Sequence, residues 1–325
     1  MTTRAAPSPR PDPERRHDCR PRPADCHRRK RRYLDRKAVC IYRAPHVHIR
    51  DDLVGLAVML ATPGALTQMM PPLDAAACTR NLGLVEEGRR LVALAERQGV
   101  VARLLGGAAI LIHCPQALAA GGYREIADLD LVVAAGSQRR LADLLVAEGY
   151  EPEPRFNALH GHSRMLFYGP LSQLDILVGN FSMCHMIKLG KRLGLDDPTL
   201  TVTDLLLTKL QIVELNSKDA WDLAALLSEH EVMAEPPATD SIDLSYLGGL
   251  VSDDWGLWRT LTGTMARLRE EKYERSVTEK LDTIDDHLRR VPKTSRHKLR
   301  ARVGDRVTWF KEPDEVRSTP AQGGS

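Results

Sequence analysis

Two aspartates separated by a single residue stand at the start of an apolar run in the first half of the chain. Asp128 and Asp130 flank Leu129, and the apolar residues 131–133 follow. Side chains alternate between the two faces of a β-strand, so residues two apart share a face. Two carboxylates held this close repel each other unless a cation neutralises them. The pattern therefore predicts a strand that begins at a cation-binding site.

A third aspartate lies inside another strand-like run. Asp175 stands between Leu174 and the apolar residues 176–178. Burying a carboxylate without a partner is costly, so a residue in this setting usually has a partner or a metal. If this strand lies beside the first, the three carboxylates meet at one point. Because Mg²⁺ takes one or two carboxylates together with substrate phosphates, Asp128, Asp130 and Asp175 predict a magnesium site for nucleotide chemistry.

Two adjacent glycines precede these acids, between a predicted strand and a predicted helix. There, Gly106 and Gly107 would let backbone N–H groups approach a phosphate at the helix N-terminus. Taken alone, the pair is better explained as an ordinary tight turn. The glycines and the three aspartates together, in this order, are much more specific than any one of them.

The order of the predicted elements indicates an α/β (α+β) fold, with a small mixed β-sheet flanked by helices and followed by a helical C-terminal region. The elements, in chain order, are a helix over 81–98, a strand over 101–105, a helix over 108–119, a strand over 129–133, a helix over 137–148, a hairpin of 164–168 and 174–178, and helices over 203–215 and 219–227. Pro115 is expected to bend or split its helix, and Ser137 is the expected N-cap of the next one. After Gly179 the predicted structure is helical, and the tail from Pro292 onward is expected to fray.

Three segments of this pattern resemble the nucleotidyltransferase superfamily, which has the DNA polymerase β-like fold. Residues 104–110 read Leu-Leu-Gly-Gly-Ala-Ala-Ile, and residues 128–132 read Asp-Leu-Asp-Leu-Val. Together with Lys209 and the later Lys-Asp-x-x-Asp-Leu at 218–223, they are similar to the AbiEii/AbiGii toxin-like branch. The resemblance covers residues 81–232, about half of the chain, and implies transfer of an NMP from an NTP to a hydroxyl acceptor.

The resemblance also implies roles for the acidic residues. Asp128 and Asp130 would hold the Mg²⁺ that bridges the triphosphate, and Asp175 would complete the site near the attacking hydroxyl. Asp219 and Asp222, one helical turn apart, would orient Lys209 or the substrate.

The same resemblance assigns the phosphate contacts. Gly106 and Gly107 would cradle the phosphates, and Lys209 would offset negative charge on the triphosphate. Lys209 has an equally good alternative, in which it extends from a partly buried helix face to solvent. The chain departs from the family in two respects. Ala108 stands where a hydroxyl residue is usual, and the gap between Gly107 and Asp128 is longer than the commonest one.

Two functions from different classes follow. The leading one is an NTP-dependent transferase whose acceptor is tRNA, as in the toxin branch, or a small hydroxyl-bearing molecule such as an aminoglycoside. A cognate antitoxin is then a candidate partner. The competing one is an inactive module that binds a nucleotide or a protein on the same fold, and the missing hydroxyl at Ala108 motivates it.

Charge and composition suggest how the chain is divided. Residues 1–50 carry 15 Lys and Arg against 5 Asp and Glu, although the whole chain has a net charge of only +3. This basic, apolar-poor arm cannot bury a core. The predicted divisions are a disordered arm at 1–70, a nucleotidyltransferase-like domain at 80–234, a helical region at 240–310 and a flexible tail at 311–325. The alternatives for the arm are contact with RNA or DNA, or a true start at Met69 or Met70.

Cysteine usage and hydropathy favour a cytoplasmic protein. The six cysteines are scattered without CxxC spacing, which favours reduced thiols over a zinc site. The longest apolar run, residues 53–66, is too short to span a bilayer, so no membrane partner is expected.

Further residues have a structural interpretation and a functional one. His160 and His162 are interpreted as polar loop residues, and His185 is unassigned. Trp255 and Trp258 are expected in the core rather than stacked on a base. The basic stretch 289–306 is expected to be a solvated face, with RNA contact as the alternative.

Overall fold

The computed structural model describes residues 73–119, 124–236, 238–271 and 273–312, which belong to one compact unit. The predictions for residues 1–70, for a start at Met69 or Met70, and for most of the 311–325 tail concern residues outside these ranges. Within them, no helix has the length and apolar character needed to cross a membrane. Cys114 and Cys184 are buried free thiols.

A five-stranded mixed sheet carries the residues of interest. Its strands are β1 (Ala102–Leu105), β2 (Leu129–Val133), β3 (Glu151–Pro152), β4 (Arg164–Tyr168) and β5 (Gln173–Val178). They lie in the order β1-β2-β5-β4-β3, and β2 and β5 are parallel whereas the other pairs are antiparallel. The central pair is built from apolar residues such as Leu131, Val133 and Ile176, which are fully buried.

Helices flank this sheet and form the region that follows it. They are α1 (Ala75–Arg97), α2 (Gly106–His113), α3 (Pro115–Ala119), α4 (Gln138–Ala147), α5 (Pro154–His160), α6 (Val202–Leu210), α7 (Ser217–Glu229), α8 (Leu244–Asp253), α9 (Trp255–Glu270), α10 (Arg275–Arg290) and α11 (Ser295–Val303). Short strand pairs complete the structure. Strand β6 (Asn180–Ser182) pairs with β7 (Met186–Lys188), and β8 (Val232–Met233) pairs with β9 (Ile242–Asp243). The predicted α/β (α+β) class is confirmed.

Pro115 splits the helix that follows β1. Proline has no N–H to donate and crowds the preceding turn, so α2 ends at His113 and α3 begins at Pro115. The predicted start at Ala108 is wrong, because α2 begins directly at Gly106. A positive φ of 67° at Gly106 lets the chain turn from strand to helix without a loop.

Other predicted features also differ from the structure. The residues after Gly179 form the β6–β7 hairpin instead of a helix, and α6 ends at Leu210 rather than 215. Ser137 precedes α4 but its side chain accepts no capping hydrogen bond from the helix N–H groups. Instead, Ser137 Oγ lies 3.3 Å from Arg140 Nη2.

The segment after Pro292 does not fray at once. Thr294 caps α11 by accepting a hydrogen bond from the His297 N–H, and the His297 ring is buried with Nδ1 2.9 Å from the Val251 carbonyl oxygen. The buried His297 ring therefore holds the basic helix α11 against the rest of the protein. Elsewhere in the basic stretch, Arg296 pairs with Asp253 at the surface.

Candidate active site

Strand register brings the three predicted aspartates to one end of the sheet. Asp130 on β2 is the direct register partner of Asp175 on β5. Parallel neighbours lie about 4.8 Å apart and point to the same face. Asp128 precedes β2 by one residue. All three line a cavity of about 710 Å³, a volume within the usual range of small-molecule sites.

The carboxylates in this cavity perturb one another. Burial, followed by the charges of Asp128 and Asp175, raises the pKa of Asp130 to about 8. Burial and the charge of Asp175 also raise the pKa of Asp128. Lys209 and Arg124 act in the opposite direction on both but do not cancel the effect. A bound cation would favour the charged forms of these carboxylates, so binding of a cation and release of the Asp130 proton are coupled.

The two glycines are required by close contacts. A Cβ on Gly106 would lie 2.0 Å from Asp130 Oδ2, and one on Gly107 would lie 2.6 Å from Arg124 Nη2. Gly106 lines the cavity, whereas Gly107 is buried. Ala108 is also buried, at 1% exposure, within the apolar core. The hydroxyl missing at this position would therefore not have reached the cavity.

Gly106→Ala is expected to destabilise the protein by more than about 2 kcal/mol, since it adds the clash with Asp130 to the backbone strain of a positive φ. Gly99→Ala is the matched control. Gly99 has the same φ of 67°, but its Cβ would meet no atom within 4 Å, so it should cost only about 1 kcal/mol. Urea denaturation of both variants measures the difference, and equal losses would contradict the close-contact explanation.

Lys209 belongs to a buried ion-pair network. Its Nζ lies 2.7 Å from Asp219 Oδ1 and 2.9 Å from Asp222 Oδ2. Asn216 caps α7 by accepting a hydrogen bond from the Asp219 N–H, which fixes the turn that carries both acids. Burial lowers the pKa of Lys209, but the two carboxylates outweigh burial, so the pKa lies above its ordinary value. Lys209 therefore stays charged at the edge of the cavity.

Arg124, which the sequence analysis did not select, completes the network. Its Nε and Nη2 lie 2.7 and 2.9 Å from the two oxygens of Asp222. Asp222 is fully buried; burial raises its pKa, but Lys209 and Arg124 outweigh that effect and bring the pKa below its ordinary value. A lone arginine in a loop gives no local signal of this contact, because its partner is 98 residues away.

Asp175 also has a partner that the sequence analysis missed. Arg164, at the start of β4, donates to both carboxylate oxygens of Asp175. This ion pair accounts for a buried aspartate without a metal. The predicted hairpin could have revealed this ion pair, because diagonal cross-strand neighbours lie within reach of long side chains.

The available ligands fit a magnesium ion only in part. Asp128 and Asp130 suit a hard cation that also takes phosphate oxygens. The third carboxylate is engaged by Arg164, and the described residues contain no group of three or more His, Cys, Asp or Glu side chains arranged to hold a metal ion. A complete three-carboxylate site would need Asp175 to leave its arginine.

The remaining candidates lie away from the cavity. His160 ends α5 against the Phe156 ring, so it belongs to a helix and not to the predicted loop. His185 Nε2 lies 2.8 Å from Thr260 Oγ1. Trp255 is buried and packs on Trp309, with ring centroids 6.0 Å apart.

The C-terminal segment supplies part of the cavity wall, which the sequence analysis did not predict. Phe310 and Glu312 line the same cavity as the aspartates. Lys311 N–H donates to the Cys184 carbonyl oxygen at 2.9 Å, and Trp309 Nε1 lies 3.0 Å from Thr260 Oγ1. These contacts hold the segment against the body of the protein.

Comparisons with known proteins find weak structural similarity only. No protein-family model matches it. No curated protein matches it either. Among solved structures, a lincosamide antibiotic adenylyltransferase bound to lincomycin is 18% identical, with a TM-score of 0.31, and the match covers 42% of this chain and 91% of that one.

Two apo forms of a tRNA-processing enzyme are similar at the same low level. They are 17% and 16% identical, with TM-scores of 0.24 and 0.21. The matches cover 63% and 60% of this chain, and 57% and 65% of theirs. Scores this low assign no family, so the function of the chain has to rest on its own residues.

Proposed function

We propose that the protein is a Mg²⁺-dependent nucleotidyltransferase that moves an NMP from an NTP to a hydroxyl acceptor. The observation that carries the proposal is the register of Asp130 with Asp175, with Asp128 beside them, at the floor of a cavity of about 710 Å³. The raised pKa values of Asp128 and Asp130 support it, since a divalent cation would offset both the burial and the charge repulsion that raise them.

Each group has a defined part in this chemistry. Bound Mg²⁺ would supply charge neutralisation for the in-line displacement, in which the acceptor oxygen bonds to the α-phosphate and pyrophosphate leaves. Asp128 and Asp130 would hold the ion, and Asp175 would complete the site near the attacking hydroxyl. Lys209, fixed by two carboxylates, presents a positive charge to the triphosphate without having to reorganise.

The acceptor is proposed to be a hydroxyl of tRNA or of a small molecule such as an aminoglycoside. The AbiEii-like resemblance favours tRNA, and in that case a cognate antitoxin is a candidate partner. We place the reaction in the cytoplasm, and the free thiols of Cys114 and Cys184 support this.

Incubation with each α-³²P-labelled NTP, Mg²⁺ and either total RNA or an aminoglycoside tests the proposal. We expect label on one acceptor class, and its loss in Asp128→Ala. Asp143→Asn, which removes an exposed acid on α4, is the matched control and should transfer normally. Transfer that persists in Asp128→Ala would contradict the site assignment, and the labelled acceptor would identify the class.

A second function is an inactive module that binds a nucleotide or a protein on the same fold. The Arg164–Asp175 ion pair favours it, because the carboxylate nearest the acceptor is already neutralised. A melting experiment combined with a turnover assay distinguishes the two functions. A melting-temperature rise with Mg²⁺ and NTP, with no turnover on either acceptor class, would support the module.

A further inference from the structure

An arginine side chain engages both oxygens of the third carboxylate. Leu166 on β4 is the direct cross-strand partner of Asp175, so Arg164, two residues away on the same face, is its diagonal neighbour. Arg164 Nε lies 2.8 Å from Oδ1 and 3.0 Å from Oδ2 of Asp175, and Nη2 also donates to Oδ2. The guanidinium thus covers the part of the carboxylate that a metal ion would otherwise use.

The two cations that line the cavity differ in how firmly they are held. Lys209 pairs with two carboxylates, and its side chain is 15% exposed. Arg164 is 33% exposed, and within the described ranges Asp175 is its one carboxylate partner. Arg164 Nη1 donates no hydrogen bond to a described residue. A guanidinium binds carboxylate and phosphate with the same planar fork, so Arg164 is able to exchange one for the other.

The pair also opposes cation binding in the free protein. A guanidinium beside Asp175 repels a second positive charge and uses lone pairs that would otherwise coordinate it. The pair therefore leaves Asp128 and Asp130 as the carboxylates of this cluster that are open to a cation in the free protein.

We propose that Arg164 is a positioning residue that exchanges partners during substrate binding. It holds Asp175 in the free protein and binds phosphate oxygens of the nucleotide in the loaded protein, which leaves Asp175 for the cation. No covalent bond changes in this exchange. Nucleotide and cation then favour each other's binding, as linkage requires. The inference rests on the proposed function, because it needs an NTP in the cavity.

Arg164→Ala is expected to change two affinities in opposite directions. Without nucleotide, the Kd for Mn²⁺, measured by electron paramagnetic resonance, should fall about tenfold. Without divalent cation, the Kd for α,β-methylene ATP, measured by calorimetry in EDTA, should rise about tenfold. A purely structural role would weaken both. Arg164→Lys keeps the charge but not the fork, so it should shift both values in the same directions by less.

Arg275→Ala is the matched control. Arg275 is 91% exposed and pairs with Glu279 on the surface of α10, so both affinities should stay at the wild-type values. If melting curves show that Arg164→Ala does not fold, Arg164→Lys carries the same test.

The outcomes separate the two proposals. Arg164 variants that weaken both ligands, or that leave either affinity unchanged, overturn the partner exchange while the transferase stands. Wild-type protein that binds neither Mn²⁺ nor the analogue overturns the proposed function, and the exchange with it.

Discussion

Asp130→Asn is expected to abolish nucleotide transfer and, in the absence of divalent cations, to raise the melting temperature. Asparagine keeps the shape of the side chain but removes its charge, so it no longer repels Asp128 and Asp175. Loss of a metal-binding carboxylate should cost at least about a thousandfold in rate. Removal of the charge removes both its burial cost and its repulsion, which should add about 1–3 kcal/mol to the free energy of unfolding at pH 8, a figure reduced because Asp130 lines the cavity.

The gain in unfolding free energy of Asp130→Asn depends on pH. The pKa of Asp130 is raised to about 8 in the folded protein, against about 3.9 in an unfolded chain. Between these values the folded protein keeps a proton that the unfolded chain has released, so wild-type stability falls as pH rises. The variant lacks this group, and its advantage should therefore be absent below about pH 4, grow up to about pH 8 and then level off.

Melting curves at several pH values, with and without Mg²⁺, check this prediction. Added Mg²⁺ should stabilise the wild type and leave Asp130→Asn nearly unchanged. Asp143→Asn removes an exposed carboxylate and should show neither effect. A variant that is less stable than the wild type at pH 8 without cation, or that transfers normally, would refute the charge argument.

Asp222→Ala is expected to cost about 3–5 kcal/mol of unfolding free energy, because it removes a buried carboxylate that two cations share. Asp222 is shared between Lys209 and Arg124. Its loss leaves Lys209 with Asp219 alone and removes the carboxylate that meets Arg124 Nε and Nη2. The transfer rate should fall with the folded fraction and with the misplacement of Lys209.

Lys209→Met separates stability from catalysis. Asp222 then keeps its two hydrogen bonds from Arg124, so the loss of stability should be smaller, about 1–2 kcal/mol. Transfer should still fall by about a hundredfold to a thousandfold, because a positive charge at the triphosphate is gone. Urea denaturation and initial transfer rates of Asp222→Ala and Lys209→Met test both predictions. Equal losses of stability would show that Asp222 depends on Lys209 and not on Arg124.

The parts of the site that the sequence predicted are those encoded by local pattern. The apolar runs around Asp130 and Asp175 identify two buried strands. The sequence analysis made the three-carboxylate site conditional on their lying side by side, and the parallel register of β2 and β5 meets that condition. The hairpin of 164–168 with 174–178 follows from the turn at Gly169 and Pro170, and β4 and β5 confirm it.

The parts that were missed depend on long-range contacts. Arg124 meets Asp222 across 98 residues, and Phe310 reaches a cavity whose acids lie more than 130 residues earlier. Short elements were missed for a different reason. Helix α5 has seven residues, and no buried face gives it a helical period. The helix over 203–215 was predicted too long because Gln211, which caps it, has no distinctive C-cap chemistry.

The course of the C-terminal segment has a consequence for evolution. Because Phe310 and Glu312 form part of the wall around the aspartates, the sheet and the C-terminal segment together define the cavity. A recombination event that exchanged only the region after the sheet would change residues of the cavity wall and leave the three aspartates unchanged. We expect such exchanges to alter which acceptors are used before they alter the transfer chemistry.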